Sequence, residues 1–267
     1  MNAKLLEFDS WKWNILRWIL TLPDNEIKWW VICLHWFGRV ATTETKFKRI
    51  SDLLAENGLA TFRFDFSGSW LSDWDFRNTT IENQWEELLL AIETLKKEIW
   101  NLKISVVAHS LWACVLATKL DGLKDQIEKI LLISPALNQK DLLRYRFVRD
   151  QMKKQNPELK ITWGNYKEYL KEEDFLKDCE KIGKMTKTSY IDSAYFMQAK
   201  DCDFSKKFEN IDKEILLIHG KNDDKVPLES LNINIKNQIL VESGDHDMER
   251  PDQLSQWVEK WVNFLLK

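Results

Sequence analysis

The chain is poor in glycine, and it lacks long apolar runs and a large excess of either charge. Only 8 of its 267 residues are glycine, although a globular chain of this length ordinarily has roughly 19. The net charge of −3 at pH 7 gives no indication of binding to nucleic acid or to an anionic membrane surface. We expect neither a secretion signal nor a membrane span, because no apolar stretch has the required length.

The cysteines show neither disulfide nor metal-site spacing. Two of them, Cys33 and Cys114, fall inside apolar runs, where a cysteine behaves as a small buried hydrophobic residue. We therefore expect reduced thiols and a cytoplasmic protein. The chain also has no internal repeats or low-complexity tracts, and its length suits one α/β domain with an insertion.

Short apolar runs alternate with segments of helical period. The predicted strands are 31–35, 60–66, 103–109, 129–135, 214–220 and 237–243. A helix over 43–58 should end at Gly58, a helix over 79–99 should open with a capping box from Thr79 to Glu82, and a closing helix should have Pro251 in its first turn. This alternation predicts an α/β fold with a mostly parallel central sheet flanked by helices. The residues before position 30 alternate like antiparallel edge strands.

A charged, helix-rich segment interrupts this rhythm between two predicted strands. We expect residues 137–210 to form a helical lid insertion over the carboxyl edge of the sheet, with residues 1–136 and 211–267 forming the core. The aromatic side chains of the lid either line an acyl or aryl pocket or hold the lid helices together, and the second role is favoured.

A serine, an acid and a histidine follow three different predicted strands. Ser110 comes directly after the strand 103–109, Asp223 follows the next-to-last strand, and His246 follows the last. Ligands of parallel sheets bind outside the carboxyl ends of the strands, so we expect these side chains to meet there. Their order along the chain is that of an α/β-hydrolase catalytic triad.

These residues have the chemistry that acyl transfer needs. Ser110 is a weak nucleophile until His246 takes its proton, and Asp223 would orient and stabilise the imidazolium. The oxyanion of the tetrahedral intermediate needs backbone N–H donors. Leu111, directly after the nucleophile, would supply one donor, and Phe37, in the turn after the first parallel strand, would supply the second.

Each residue also has an alternative interpretation. A lone serine at a strand end is usually a helix cap. Asp224 and Asp245 are alternatives for the acid, and Asp223 is preferred because Val226 and Pro227 follow it at the expected offset. Three further histidines lie at strand ends, where a structural role is expected: His35, His109 and His219.

Six stretches carry a family resemblance: "ICLHWFG", "FRFDFSGSWLSDWDF", "VVAHSLWA", "LLISPA", "LIHGKNDDKVP" and "ESGDHDM". The chain resembles the α/β-hydrolase superfamily, in particular the cinnamoyl/feruloyl-esterase-like branch (the serine-aminopeptidase-like or "hydrolase 4" group). The resemblance covers the core but not the lid. Position by position, it makes Ser110 the nucleophile, Asp223 the acid and His246 the base, with Phe37 and Leu111 at the oxyanion hole.

The resemblance implies a serine hydrolase that cleaves small-molecule carboxylic esters with small or medium acyl groups through an acyl-enzyme, without cofactor or metal. A lysophospholipase or monoacylglycerol lipase, a thioesterase and an aminopeptidase are alternatives within the same chemistry, because fold does not fix substrate. The alternative from another functional class is a catalytically impaired hydrolase-fold protein that binds a ligand or a partner, if Trp36 and Trp112 are genuine.

The chain departs from the family pattern at glycine positions. The pattern G-x-S-x-G appears as Ala108 to Trp112, and Trp36, Trp70 and Trp74 occupy further turn positions where the family has glycine. We hypothesise that the gene reads UGA as glycine and that the sequence shown was translated with UGA as tryptophan. The combined number of tryptophans (14) and glycines (8) is close to the glycine total of an ordinary chain of this length, roughly 19.

Further tryptophans at turn-like positions are candidates for the same recoding: Trp11, Trp13, Trp18, Trp29, Trp30 and Trp100. Trp85 and Trp163 are undecided, and Trp257 and Trp261 lie four apart on the last helix, as core aromatics would. If Trp36 and Trp112 are genuine, we expect a distorted nucleophile elbow, a blocked oxyanion hole and poor folding.

Overall fold

A computed structural model describes residues 2–10, 14–34, 42, 44–69, 71–98, 104–185 and 190–267. Within these ranges, ten strands form an eight-stranded central sheet and a separate two-stranded pair. The strands are β1 (Asn2–Asp9), β2 (Ile15–Leu22), β3 (Trp29–Leu34), β4 (Leu59–Asp65), β5 (Ile104–His109), β6 (Ile127–Ile133), β7 (Lys184–Met185), β8 (Tyr190–Ile191), β9 (Glu214–Gly220) and β10 (Asn237–Val241). The pair is β7 with β8.

The central sheet has the strand order β1-β2-β4-β3-β5-β6-β9-β10. Strand β2 pairs antiparallel with both β1 and β4, and the remaining neighbours are parallel. Alpha-helices lie in most of the connections between the parallel strands, as is usual for crossovers. The predicted α/β fold with a mostly parallel sheet is therefore confirmed, as are the antiparallel strands at its N-terminal edge.

The helices in these ranges are α1 (Thr45–Glu56), α2 (Ile81–Glu98), α3 (Trp112–Thr118), α4 (Leu120–Leu123), α5 (Gln139–Gln155), α6 (Tyr166–Tyr169), α7 (Glu172–Cys179), α8 (Ser193–Ala199) and α9 (Pro251–Leu266). Helix α1 ends just before Gly58, whose φ of +83° is one that glycine adopts without steric cost. The predicted capping box of α2 is wrong. The hydroxyl of Thr80 accepts from the Asn83 N–H, whereas the hydroxyl of Thr79 accepts from the Gln84 side chain.

Successive side chains of the central strands point to opposite faces of the sheet, and both faces contribute to the core. On β3, Ile32 and Leu34 pack in the layer that contains α2 and α3. Val31 and Cys33 point to the other face, where α1 and α9 cover the sheet. Burial raises the pKa of the Cys33 thiol to about 12, so this cysteine is an inert core residue. Both faces are thus buried, as expected for a parallel sheet.

The segment between β6 and β9 contains α5 to α8, and also the β7–β8 pair. The predicted lid is therefore not wholly helical, and its boundaries at 137 and 210 stay a prediction. Its aromatic rings contact one another, for example Tyr145 with Trp163 and Tyr166 at centroid distances of 5.6 and 5.8 Å. These contacts agree with the favoured role of holding the segment together. None of the helices in the described ranges has the length and apolar character needed to cross a membrane.

Candidate active site

The sheet brings the three sequence-predicted catalytic residues to one edge. Ser110 follows β5 directly, Asp223 lies in the loop after β9, and His246 lies in the loop after β10. Strands β5, β6, β9 and β10 are successive neighbours with parallel directions. Their carboxyl ends therefore lie side by side, where ligands of open α/β sheets bind.

Ser110 occupies a sharp turn between β5 and α3. Its φ of +58° is in the left-handed region, which is uncommon for a residue with a Cβ. The turn is held by the Ser110 N–H, which donates to the Ile133 carbonyl at 2.9 Å, and by the Ala136 N–H, which donates to the Ser110 carbonyl at 3.0 Å. No acceptor for the Leu111 N–H occurs in the described part of the chain.

The three side chains form one hydrogen-bonded series. The Ser110 Oγ lies 2.9 Å from His246 Nε2, and His246 Nδ1 lies 2.7 Å from Asp223 Oδ2. In the tautomer that satisfies both contacts, Nδ1 donates to the carboxylate and Nε2 accepts from the serine hydroxyl. The other Asp223 oxygen accepts from the N–H groups of Lys225 and Val226 at 2.9 and 2.8 Å.

Burial controls the charge states of this series. The exposed fractions of Ser110, Asp223 and His246 are only 1%, 5% and 1%. Burial lowers the pKa of His246 below its ordinary value, and the carboxylate of Asp223 only partly opposes this. Burial by itself would raise the pKa of Asp223, but the electrostatic interaction and the hydrogen bond with His246 lower it below the ordinary value. The imidazole is therefore neutral and the carboxylate ionised at neutral pH.

The competing aspartates lie elsewhere. Asp224 is exposed and pairs with Arg149 at 3.5 Å. The Asp245 side chain accepts from the N–H groups of Asp247 and Met248 in its own loop. Of the three candidates, the structure brings only Asp223 to the histidine.

Two buried histidines hold the loops that carry the acid and the base. The Nε2–H of His109 donates to the His246 carbonyl at 2.8 Å, and the Nε2–H of His219 donates to the Val226 carbonyl at 2.9 Å. Their positions at strand ends predicted a structural role. The structure adds which loops they hold, a detail that strand-end position alone does not contain.

A close backbone contact joins the same two loops. A Cβ on Gly220 would lie 2.4 Å from the carbonyl carbon of Gly244, far inside van der Waals contact. The Asn222 N–H donates to the Gly244 carbonyl at 2.9 Å. Glycine at both positions lets the loops carrying Asp223 and His246 touch.

Trp112 does not distort the elbow, contrary to expectation. Its side chain is fully buried at the start of α3. Its ring stacks on the Phe66 ring, with 4.0 Å between the ring centroids and an interplanar angle of 8°. A space beside the end of β4 thus accepts the indole, while Ser110 keeps its contact with His246. Several other sequence-predicted positions lie outside the described residues: Phe37, Trp36, Trp70, His35, Trp11, Trp13 and Trp100.

Within the described ranges, no cluster of three or more His, Cys, Asp or Glu side chains is arranged to hold a metal ion. Each buried titratable side chain of the site instead contacts another member of the site or the backbone of its loops.

Solved structures share this arrangement of strands and helices. Est1E from Butyrivibrio proteoclasticus with bound ferulic acid superposes with a TM-score of 0.73 at 19% identity, covering 98% of each chain. An esterase from Exiguobacterium antarcticum gives 0.66 at 16% identity, covering 98% of this chain and 99% of its own. The chain has the α/β-hydrolase fold. The mouse α/β hydrolase domain-containing protein 10 gives 0.68 at 15% identity and 98% coverage of each chain.

The similarity to proteins of the α/β-hydrolase fold is found in the three-dimensional structure and not in the overall sequence. No protein-family model matches the sequence, and no curated protein does. The fold supports many different activities. The function therefore has to be argued from the geometry at the carboxyl edge of the sheet.

Proposed function

We propose that this α/β-hydrolase-fold protein cleaves carboxylic esters with small or medium acyl groups through an acyl-enzyme on Ser110. One observation carries the proposal: the hydrogen-bonded series from Ser110 through His246 to Asp223. A buried neutral imidazole that accepts from a serine and donates to an ionised carboxylate is the arrangement needed to activate that serine. A merely structural serine cap does not need it.

In the acylation step, Ser110 Oγ attacks the ester carbonyl carbon as its proton passes to His246 Nε2. Asp223 stabilises the imidazolium without itself taking the proton. The oxyanion accepts from the Leu111 N–H and, by our proposal, from the Phe37 N–H. When the tetrahedral intermediate collapses, the C–O bond to the alcohol breaks and His246 protonates the leaving oxygen.

Deacylation repeats these steps with water. His246 takes a proton from the water, which attacks the acyl carbon, and the second tetrahedral intermediate then expels Ser110 Oγ. The proton on Nε2 returns to the serine, and the carboxylic acid leaves. The loops fixed by His109 and His219 keep base and acid in place through both steps.

The direct test labels the purified protein with a fluorophosphonate probe and measures hydrolysis of a short p-nitrophenyl ester. We expect labelling of Ser110, and we expect Ser110→Ala to abolish labelling and to lower kcat by about a thousandfold or more. Ser134→Ala is the matched control. Ser134 is also buried with positive φ after a neighbouring strand, but its Oγ has no hydrogen-bond partner in the described part of the chain.

The control variant should keep both labelling and hydrolysis. An unlabelled, inactive wild-type protein with native circular dichroism would refute the proposal and favour a binding protein with an impaired site. Parallel assays with a thioester, a monoacylglycerol, a lysophospholipid and an aminoacyl amide separate the alternative substrate classes.

A further inference from the structure

Arg146, on α5, forms no ion pair with a carboxylate of the described residues. Its Nε and Nη2 both donate to the carbonyl of Lys225 at the long distance of 3.4 Å, and among the described residues no other group forms a hydrogen bond or an ion pair with its guanidinium. The two other arginines of the same helix are paired: Arg144 with Glu172, and Arg149 with Asp224. The absence of a counter-ion is thus particular to Arg146.

The guanidinium of Arg146 lies beside the catalytic series. Its acceptor, Lys225, donates its own N–H to the Asp223 carboxylate. On another side it approaches the buried phenol of Tyr195, whose pKa burial raises and the charge of Arg146 lowers. Tyr195 donates to Gln139, and this glutamine donates to the Ala136 carbonyl next to the elbow.

A partly buried cation with two long bonds to one carbonyl is poorly compensated for its lost hydration. Burial accordingly lowers the pKa of Arg146. The residue is only partly buried, so part of it stays open to solvent. The planar guanidinium presents paired N–H donors that match the two oxygens of a carboxylate.

We propose that Arg146 binds a carboxylate carried by the substrate, so that the preferred substrates are esters with one free carboxylate. This inference rests on the proposed ester hydrolysis and narrows its substrate class. Arg146 would then supply binding energy and orientation from a part of the substrate that does not react. Bound substrate would provide the direct carboxylate contact that Arg146 does not make with the described residues.

The test compares esters that differ only in this charge. On the acyl side, mono-p-nitrophenyl adipate is compared with p-nitrophenyl hexanoate. On the alcohol side, the hexanoate ester of para-hydroxybenzoate is compared with that of para-hydroxybenzamide. We expect the wild type to favour the anionic member in one of the pairs, and Arg146→Gln to reduce that ratio of kcat/KM values about 10- to 100-fold.

Arg149→Gln is the matched control, because it removes a paired arginine of the same helix and should leave the ratio unchanged. Arg146→Lys keeps the positive charge but loses the paired N–H donors of the guanidinium, so its ratio of kcat/KM values should be intermediate. Raising the ionic strength should weaken the wild-type preference.

Two results would overturn the assignment of Arg146. One is a wild type that hydrolyses the neutral ester at least as well in both pairs. The other is an Arg146→Gln variant that slows both members of a pair equally, since that is what mere positioning of the acid loop predicts. A wild type that is not labelled at Ser110 and hydrolyses none of the four esters would overturn the proposed function itself, and this inference with it.

Discussion

Trp74 has the backbone conformation of a glycine. Its φ is +92° and its side chain is 41% exposed. A bulky residue in this region is an outlier, because its Cβ meets neighbouring backbone. Trp74 is also one of the positions where the family resemblance places glycine. The conformation and the motif therefore point to the same residue type at this turn.

Replacing Trp74 should separate backbone strain from side-chain packing. We expect Trp74→Gly to have a higher free energy of unfolding than Trp74→Ala by about 1 kcal/mol, because both variants lose the indole and only glycine relieves the positive φ. Urea denaturation of the two variants measures this difference. Equal stabilities would show that the turn has no glycine requirement.

The recoding hypothesis makes a separate prediction about the gene and the native protein. We expect UGA codons at positions 36, 70 and 112, and peptides from the natural source that carry glycine there. Sequencing the coding DNA and measuring the masses of the peptides test this directly. UGG codons at all three positions would refute it, and the stacking of Trp112 on Phe66 would then be a native contact.

In the proposed reaction His109 acts through His246, whose carbonyl it contacts, and removing its side chain should lower kcat more than it changes KM. Burial lowers its pKa well below the ordinary value, so it donates to the His246 carbonyl as a neutral ring. We expect His109→Leu to lower kcat about tenfold or more with little change in KM, because a displaced base slows both proton transfers.

His109→Gln, which keeps an N–H donor, should recover part of the rate lost in His109→Leu. A wild-type kcat in His109→Leu would exclude the positioning role. An equal loss in both variants would attribute the effect to packing and not to the hydrogen bond.

At the scale of elements, the contact between the acid and base loops predicts a sharp effect of one methyl group. In Gly220→Ala the new Cβ would overlap the Gly244 carbonyl. We expect a loss of about 2 kcal/mol in the free energy of unfolding, and a lower kcat because the loops carrying Asp223 and His246 must separate.

Gly122→Ala is the control, since a Cβ at Gly122 meets no atom within 4 Å and alanine is the better helix former. It should be neutral or stabilising by up to about 1 kcal/mol. Thermal or urea unfolding gives the stabilities, and ester hydrolysis gives kcat. Gly220→Ala with unchanged stability and kcat would show that the loops can move apart freely.

The elements of the core were predictable because their signals are local. Apolar runs gave β3 to β6, β9 and β10 to within a few residues, and Pro251 opens α9 as predicted. The start of α2 was misplaced because two adjacent threonines can both cap. Which hydroxyl caps the helix depends on Gln84, whose side-chain amide donates a hydrogen bond to the Thr79 hydroxyl.

At the scale of the whole molecule, the strand order brings together residues that the sequence identifies only as candidates for the site. Chain order pointed to Ser110 and His246, and the offset of Val226 and Pro227 favoured Asp223, but loop sequence alone left Asp224 and Asp245 as alternatives. Two backbone N–H groups aim Asp223 at the imidazole. The space around Trp112 was equally unpredictable, because Phe66 follows a strand far earlier in the chain.

Buried charge across the whole site sets its pH dependence. In the proposed reaction His246 must be unprotonated to accept the serine proton, so kcat/KM should rise with pH as this group loses its proton. Burial, with help from the positive charges of Lys225 and Arg146, lowers its pKa below the ordinary value of about 6.5. We therefore expect the acid limb of the profile, measured with a neutral ester, to have its midpoint below pH ~6.5.

Activity should thus persist to a lower pH than an exposed histidine base would allow. Lys225→Gln removes one of the positive charges that disfavour the imidazolium, so its midpoint should shift upward. A wild-type midpoint at or above the ordinary histidine value, or a downward shift in Lys225→Gln, would contradict this account. Since kcat/KM reports the free enzyme, the measured midpoint is that of the protein before any substrate displaces water from the site.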